Sequence, residues 1–171
     1  MPEQNNSSPA DIASRARAFA LTAHGEQRYG DQPYAVHLDA VAALLAPFGE
    51  TAQAIGYLHD VIEDTPVPLQ AVREAFGDLI ADCVALVNRA ERKTHTNAKL
   101  AKVSGDTELA LIVKAADRLA NLRTSARAQG DSKLDMYRRE HPTFRAAAFR
   151  PGLCDALWME MEQILAARPR A

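Results

Sequence analysis

The chain is poor in several of the features that define large protein classes. Its 171 residues include only two cysteines, Cys83 and Cys154. They lie 71 positions apart, match no zinc-ligand spacing, and read as two free thiols, buried or half-buried. Nothing in that usage asks for an oxidising compartment. Aromatic residues make up only 6%, and few stretches alternate apolar with polar residues, which argues against a sheet-based fold. No apolar run approaches the roughly 20 residues of a membrane-spanning helix, so no membrane partner is expected. Neither sign of charge dominates: 20 Lys and Arg stand against 22 Asp and Glu, a net charge of −2. With a pI of about 6.2 there is no electrostatic footprint for nucleic acid, and none is expected as a partner. An anionic ligand must instead be drawn by a local basic patch. Residues 1–9 are polar and lack the apolar stretch of a signal peptide. They read as a disordered tail, and the protein is expected in the cytoplasm.

What is present fits one soluble domain over residues 10–171. Apolar residues reach 47% and charged residues 25%, enough for a sizeable core beneath an ordinary surface. Alanine is abundant and the periodicity is helical throughout, so the fold class is all-α, a bundle of about 8–10 helices. Asp11 caps a first helix over about 12–27. The cluster Gly30-Asp31-Gln32-Pro33 marks a turn. A helix follows over about 36–46, with Val36, Ala40, Val41, Leu44 and Leu45 as its apolar face. The next covers about 51–64 and stops at Thr65-Pro66, because a residue before proline resists the helical region. Helices over about 68–75 and 78–91 precede a basic, polar stretch, Arg92 to Gly105, which reads as a loop or a mobile helix end. A long amphipathic helix is expected over 107–128, ended by Gly130. Short segments over 132–139 and 142–148 lead to a last helix over 152–167, in which Leu153, Leu157, Met161 and Leu165 recur every four residues.

Three segments carry chemistry. In Tyr57-Leu58-His59-Asp60-Val61-Ile62-Glu63-Asp64-Thr65, one imidazole and three carboxylates crowd into two turns. Acids at a helix C-terminus oppose its dipole, so an exposed acidic end is the costlier reading and a divalent cation between them the simpler one. In the long helix, Asp117, Asn121 and Thr124 form a polar stripe on an otherwise apolar face. A buried Asp117 needs a strong partner, which could be a metal or a neighbouring arginine. His37, alone, is as compatible with a satisfied core histidine as with a ligand. Together, His37, His59, Asp60 and Asp117 form a mixed nitrogen and oxygen set suited to Mn, Fe, Co or Zn. Glu63 and Asp64 then have a use as general base or acid beside an activated water. His24 and His95 read as surface residues.

These residues resemble a known family. The order H…HD…D is that of the HD phosphohydrolase superfamily. More narrowly, the chain is similar to the hydrolase domain of RelA/SpoT-type alarmone enzymes and to free-standing small alarmone hydrolases. Arg28-Tyr29-Gly30-Asp31-Gln32-Pro33-Tyr34-Ala35-Val36-His37 resembles the family's RKxGxPYxxH. Leu58-His59-Asp60-Val61-Ile62-Glu63-Asp64-Thr65 resembles LHDxxEDT, and Val113 to Arg123 resembles xKLADRLxNxR. The likeness spans roughly residues 15–140. It implies an all-α HD domain and a Mn-dependent removal of the 3′-pyrophosphate from (p)ppGpp or the related (p)ppApp. By position it implies His37, His59, Asp60 and Asp117 as metal ligands, with Glu63 and Asp64 serving the water and the proton transfers. Arg28, Tyr29, Asn121, Lys133 and Tyr137 fall at substrate-contacting positions, Arg28 on the purine and Asn121 on the nucleoside.

Tyr29 departs from the pattern, which has lysine there, and this leaves guanine versus adenine open. Arg89, Arg92, Lys93 and Lys99 read either as a phosphate path or as a solvated face. Arg28, Lys114, Arg123 and Lys133 are the cations nearest the site. No segment resembles the companion synthetase, so a stand-alone hydrolase is expected, with its oligomeric state open, a homo-oligomer included. Two other readings remain: an HD nucleotidase acting on ordinary nucleotides, and a non-catalytic nucleotide-binding protein.

Overall fold

The computed structural model describes residues 11–88, 93–128 and 132–167. The expected tail over 1–9, together with Arg89, Arg92, the side chains of Lys93 and His95, and Gly130, lies outside what it describes. Among the described residues the secondary structure is helical apart from one two-stranded hairpin.

Helix α1 (Ile12–His24) starts where Asp11 accepts a hydrogen bond from the Ala13 amide, and ends at Gly25, whose φ of 54° stops the helix. The predicted turn at 30–33 is the tip of a hairpin. Strands β1 (Arg28–Tyr29) and β2 (Gln32–Pro33) pair antiparallel around Gly30. Helix α2 (Tyr34–Leu45) begins two residues earlier than its apolar pattern indicated. Its inward face is Tyr34, His37, Leu38, Val41, Ala42 and Leu45, whereas Val36 is 47% exposed. The expected face was rotated because it left out the polar His37, which is buried with the aliphatic residues.

The helix expected over 51–64 is two helices. Helix α3 (Glu50–Leu58) stops at His59, and α4 (Val61–Asp64) starts after Asp60, whose φ and ψ of −106° and −1° lie at the edge of the helical region. Apolar spacing carries across this joint through Leu58, Val61 and Ile62, so periodicity alone does not reveal it. Helices α5 (Leu69–Phe76) and α6 (Asp78–Val87) follow, separated by Gly77. The stretch expected as a loop or a mobile helix end contains helix α7 (Lys93–Ala101). Its polar composition hides it, but Thr96 and Leu100, one turn apart, are both buried.

Helix α8 (Leu109–Arg127) is the centre of the molecule. It packs against α2, α3, α6, and also against α9 (Ser132–Ala148) and α10 (Asp155–Ala166). Every residue from Ala110 to Ala120 is buried, so this part of the helix is enclosed on all sides, whereas Thr124, Ala126 and Arg127 near its end are exposed. The two segments expected around residue 140 form one helix, α9, with Pro142 inside it. Proline removes one helical hydrogen bond, but Arg118 of α8 holds both halves. Its guanidinium lies 4.8 Å from the Tyr137 ring centroid and 4.6 Å from that of Phe144.

Two polar ties frame the bundle. Asp39 on α2 accepts from Arg17 of α1 at 2.8 and 3.0 Å and from Tyr57 of α3 at 3.0 Å. Arg150 donates to the carbonyls of Leu100 and Ala101 at the end of α7, and to those of Ala147 and Phe149 at the end of α9. Helices α2 and α3 cross at Gly56, where a Cβ would lie 2.5 Å from Cδ1 of Leu45. Glycine permits that approach with the Leu45 tip in place, and the approach holds α2 and α3, which carry His37 and His59, close together. Both Cys83 and Cys154 are buried free thiols, as expected.

Candidate metal centre and active site

Helix α2 supplies His37, the α3–α4 joint supplies His59 and Asp60, and α8 supplies Asp117. His37, His59 and Asp117 are each no more than 3% exposed. His37, His59 and Asp60 each place one ligand atom within 4.8 Å of the others. Asp117 joins them through Oδ1, which lies 3.2 Å from Nε2 of His37 and 3.5 Å from Nε2 of His59. Nε2 of His59 also lies 2.9 Å from Asp60 Oδ2. The predicted ligands from three parts of the chain therefore meet at one point.

The tautomer of His59 follows from its partner. The Gly56 carbonyl, 2.6 Å from Nδ1, can only accept, so Nδ1 carries a proton and Nε2 faces the carboxylates. Nε2 is buried and makes no aligned hydrogen bond despite those short distances. Burial acts against a charged imidazole here, but Asp60 and Asp117 outweigh it and raise the His59 pKa to about 10. Against the cost of burial, His59 holds the Asp60 carboxyl below the usual range, and Lys114, followed by His59, does the same for Asp117. This is a donor set that gathers around positive charge, and a divalent cation fits it.

Surrounding groups orient the set. The Tyr34 hydroxyl donates to Asp60, and burial followed by that carboxylate's charge pushes the phenol pKa up. Lys114 lies 3.4 Å from Oδ2 of Asp117, so the carboxylate turns Oδ1 toward the histidines. Asn121 donates to the same Oδ1 at 2.9 Å and accepts from the Tyr29 hydroxyl at 2.7 Å. The neighbouring arginine proposed for Asp117 goes elsewhere: Arg118 pairs with Glu140 at 3.2 Å. Thr124, the last of the predicted stripe, bonds back to the Ala120 carbonyl.

The ligands open onto a cleft of about 230 Å³ lined by Tyr29, Tyr34, His37, Asp60, Glu63, Asp64, Asp117, Asn121 and Tyr137. Both Glu63 and Asp64 are exposed in it. Asp64 accepts from Gln27 at 2.8 Å, and the oxygen of the same Gln27 amide faces His24 Nδ1 at 2.8 Å. His24, expected at the surface, is buried against the Tyr34 ring at 4.5 Å. The spacing His24-x-x-Gln27 at a helix end was the available signal for this pair. Arg28 and Lys133 do not line the cleft. Arg28 is exposed, bonds the Asp31 carbonyl, and borders a neighbouring hollow with Gly25, Glu26, Gln27 and Pro33. Lys133 is exposed in the first turn of α9. Arg123 makes a bidentate pair with Glu160 at 2.6 and 2.8 Å. Four carboxylates and no lysine or arginine stand among the lining residues, so an anionic substrate needs a cation to enter.

A helical bundle with an H…HD…D ligand set defines a class, and residues 16–153 match the family model described as HD domain. The chain belongs to the HD domain family. It is 29% identical over 174 residues to a probable guanosine-3′,5′-bis(diphosphate) 3′-pyrophosphohydrolase of Synechocystis sp., covering 95% of this chain and 23% of that protein. It is 30% identical over 161 residues to the bifunctional (p)ppGpp synthase/hydrolase SpoT of Escherichia coli K12, covering 85% of this chain and again 23% of the relative. The chain thus spans about a quarter of these curated relatives. In fold it matches a solved structure titled as a metazoan ortholog of SpoT that hydrolyzes ppGpp, with a TM-score of 0.73, 23% identity, and coverage of 91% of this chain and 94% of that one. No helix among the described residues is long and apolar enough to cross a membrane.

Proposed function

We propose that this chain is a metal-dependent 3′-pyrophosphohydrolase of alarmone nucleotides, with manganese as its cation, acting in the cytoplasm. It converts (p)ppGpp or (p)ppApp to the 5′-di- or triphosphate and pyrophosphate. The observation that carries this reading is the pairing of a buried ligand set with Glu63 and Asp64 on one acidic cleft. The named activities of the relatives support it.

In this reading His37, His59, Asp60 and Asp117 hold the cation. When bound, the cation supplies Lewis acidity and the positive charge that a pyrophosphate ester needs in this acidic cleft. Hydrolysis delivers a hydroxyl to the phosphorus attached to the ribose 3′-oxygen and a proton to that departing oxygen. Glu63 and Asp64, adjacent and facing the cleft, divide these duties: one takes the proton of the attacking water and the other returns a proton to the leaving group. Gln27 fixes the direction of Asp64 by donating to it. Tyr137 and the free N–H of Asn121 offer edges to the nucleoside. Arg28 and Lys133, outside the lining, serve phosphates or base only at the rim.

The test is a substrate panel. Purified protein is incubated with Mn²⁺ and, separately, (p)ppGpp, (p)ppApp and ordinary nucleotides, and the products are resolved by anion exchange. Pyrophosphate release from the alarmones is the expected result. Turnover of ordinary 5′-nucleotides alone would overturn the reading.

A further inference from the structure

Tyr29 reaches two of the four candidate ligands from outside the set, His37 directly and Asp117 through Asn121. Its ring lies nearly parallel to the His37 imidazole, with centroids 4.7 Å apart and planes 18° from each other. Its hydroxyl lies 2.7 Å from Asn121 Oδ1, and Asn121 Nδ2 lies 2.9 Å from Asp117 Oδ1. The direction of each bond is dictated by chemistry. A carboxylate oxygen accepts and an amide NH₂ donates, so Asn121 turns its NH₂ to Asp117. The amide oxygen then faces Tyr29, and the phenol must donate. One side chain on the hairpin thereby governs a ligand on α2 by stacking and a ligand on α8 through an amide.

The geometry points to Tyr29 as a positioning residue of the metal centre, its ring setting the plane of His37 and its hydroxyl, through Asn121, setting the carboxylate of Asp117. Where the alarmone-hydrolase pattern has a lysine, this chain has a neutral group whose only proton donor is engaged with the protein. Its role is to raise metal affinity, and it does not donate to the substrate. This inference rests on the proposed metal site but not on the identity of the substrate.

The experiment therefore needs no substrate. Metal-stripped protein is titrated with MnCl₂ by calorimetry for the parent, Tyr29→Phe, Tyr29→Ala, Asn121→Ala and the double variant Tyr29→Phe/Asn121→Ala. Outer partners of metal ligands typically contribute about 10–100-fold in affinity. Tyr29→Phe keeps the stacking and should weaken Mn²⁺ binding by about 10-fold, while Tyr29→Ala loses both arms and should fall toward the 100-fold end. In the Asn121→Ala background, Tyr29→Phe should change affinity by less than about twofold, because the arm it acts through is gone. The unfolding temperature of stripped Tyr29→Phe should fall by no more than about 6 °C, the loss of one hydrogen bond. A parent that binds Mn²⁺ and a Tyr29→Phe variant that binds it equally well would overturn the inference alone. So would independent, multiplying effects in the double variant, or a loss of thermal stability with affinity intact. A parent that binds no Mn²⁺ would overturn the site itself, and the inference with it.

Discussion

Adding one methyl group at Gly56 should test how closely the helix packing and the site depend on each other. A Cβ there would lie 2.5 Å from Leu45 Cδ1, against 3.5 Å from Val41 Cγ1, which is ordinary contact. The Leu45 tip must retreat by about 1 Å to restore a normal carbon–carbon separation. It is the end of a flexible side chain, but Leu45 has no exposed surface, so it has no solvent to swing into. Overpacking of this kind costs about 1–3 kcal/mol. Replacing glycine in a helix interior returns about 0.5–1 kcal/mol. Gly56→Ala should therefore lose about 1 kcal/mol and at most about 2.5, a fall of roughly 2–10 °C in Tm for a chain of this length. Urea unfolding of the metal-stripped protein gives the free energy directly. In a Leu45→Ala background the obstructing tip is absent, and the same substitution should become stabilising by about 0.5–1 kcal/mol. A Gly56→Ala protein as stable as the parent, or an equal loss in both backgrounds, would refute the argument.

Four further outcomes follow from the described contacts. Glu63→Gln should bind Mn²⁺ as the parent does but lose about 10²–10⁴-fold in kcat; unchanged turnover would remove Glu63 from the proton transfers. Gln27→Leu frees the Asp64 carboxylate and should lower kcat about tenfold with little change in KM; an effect on KM alone would mean that Gln27 serves binding instead. Asp39→Asn should cost at most about 1 kcal/mol near neutral pH, because the Arg17 pair is half-exposed and screened. The Arg17 hydrogen bond, against the cost of burial, lowers the Asp39 pKa in the fold, so its contribution is complete above the ordinary value of 3.8 and disappears as pH falls through the depressed one. Denaturation curves of parent and variant should converge at acid pH, and a gap that persists there would contradict the pairing. Arg150→Ala leaves the ends of α7 and α9 without their shared donor and should cost about 2 kcal/mol, read by urea unfolding; a loss below about 0.5 kcal/mol would show that water replaces it fully.

Much of the helical layout and the grouping of four candidate ligands were legible in the sequence, for different reasons. Asp11, Gly77 and Thr65-Pro66 mark helix ends by backbone preference, which is local and survives without tertiary context. His37, His59, Asp60 and Asp117 stood out because polar groups inside apolar helices need a partner, and only together did they suggest a cation. What was missed depends on contacts between distant segments. Helix α7 lacks an apolar stripe and is held by Thr96 and Leu100. Pro142 reads as a break until Tyr137 and Phe144 are seen to share Arg118. The inward turn of α2 follows from a buried histidine that an apolar count leaves out. His24 has no apolar company in sequence, and its burial comes from the Tyr34 ring ten residues away.

The joint at His59 and Asp60 bears on how such a centre can be transplanted. Successive residues of an unbroken helix leave its axis about 100° apart, so a His-Asp dipeptide copied into a continuous helix would aim one ligand at the site and the other away from it. The transferable unit is the joint itself: the last turn of α3, the backbone setting at Asp60, and the first turn of α4. Inserting a single residue in α3 would turn the joint, and both its ligands together, by about 100° relative to the rest of that helix without altering the composition of the motif. A designer who preserves the dipeptide and loses the joint would keep the signature and discard the centre.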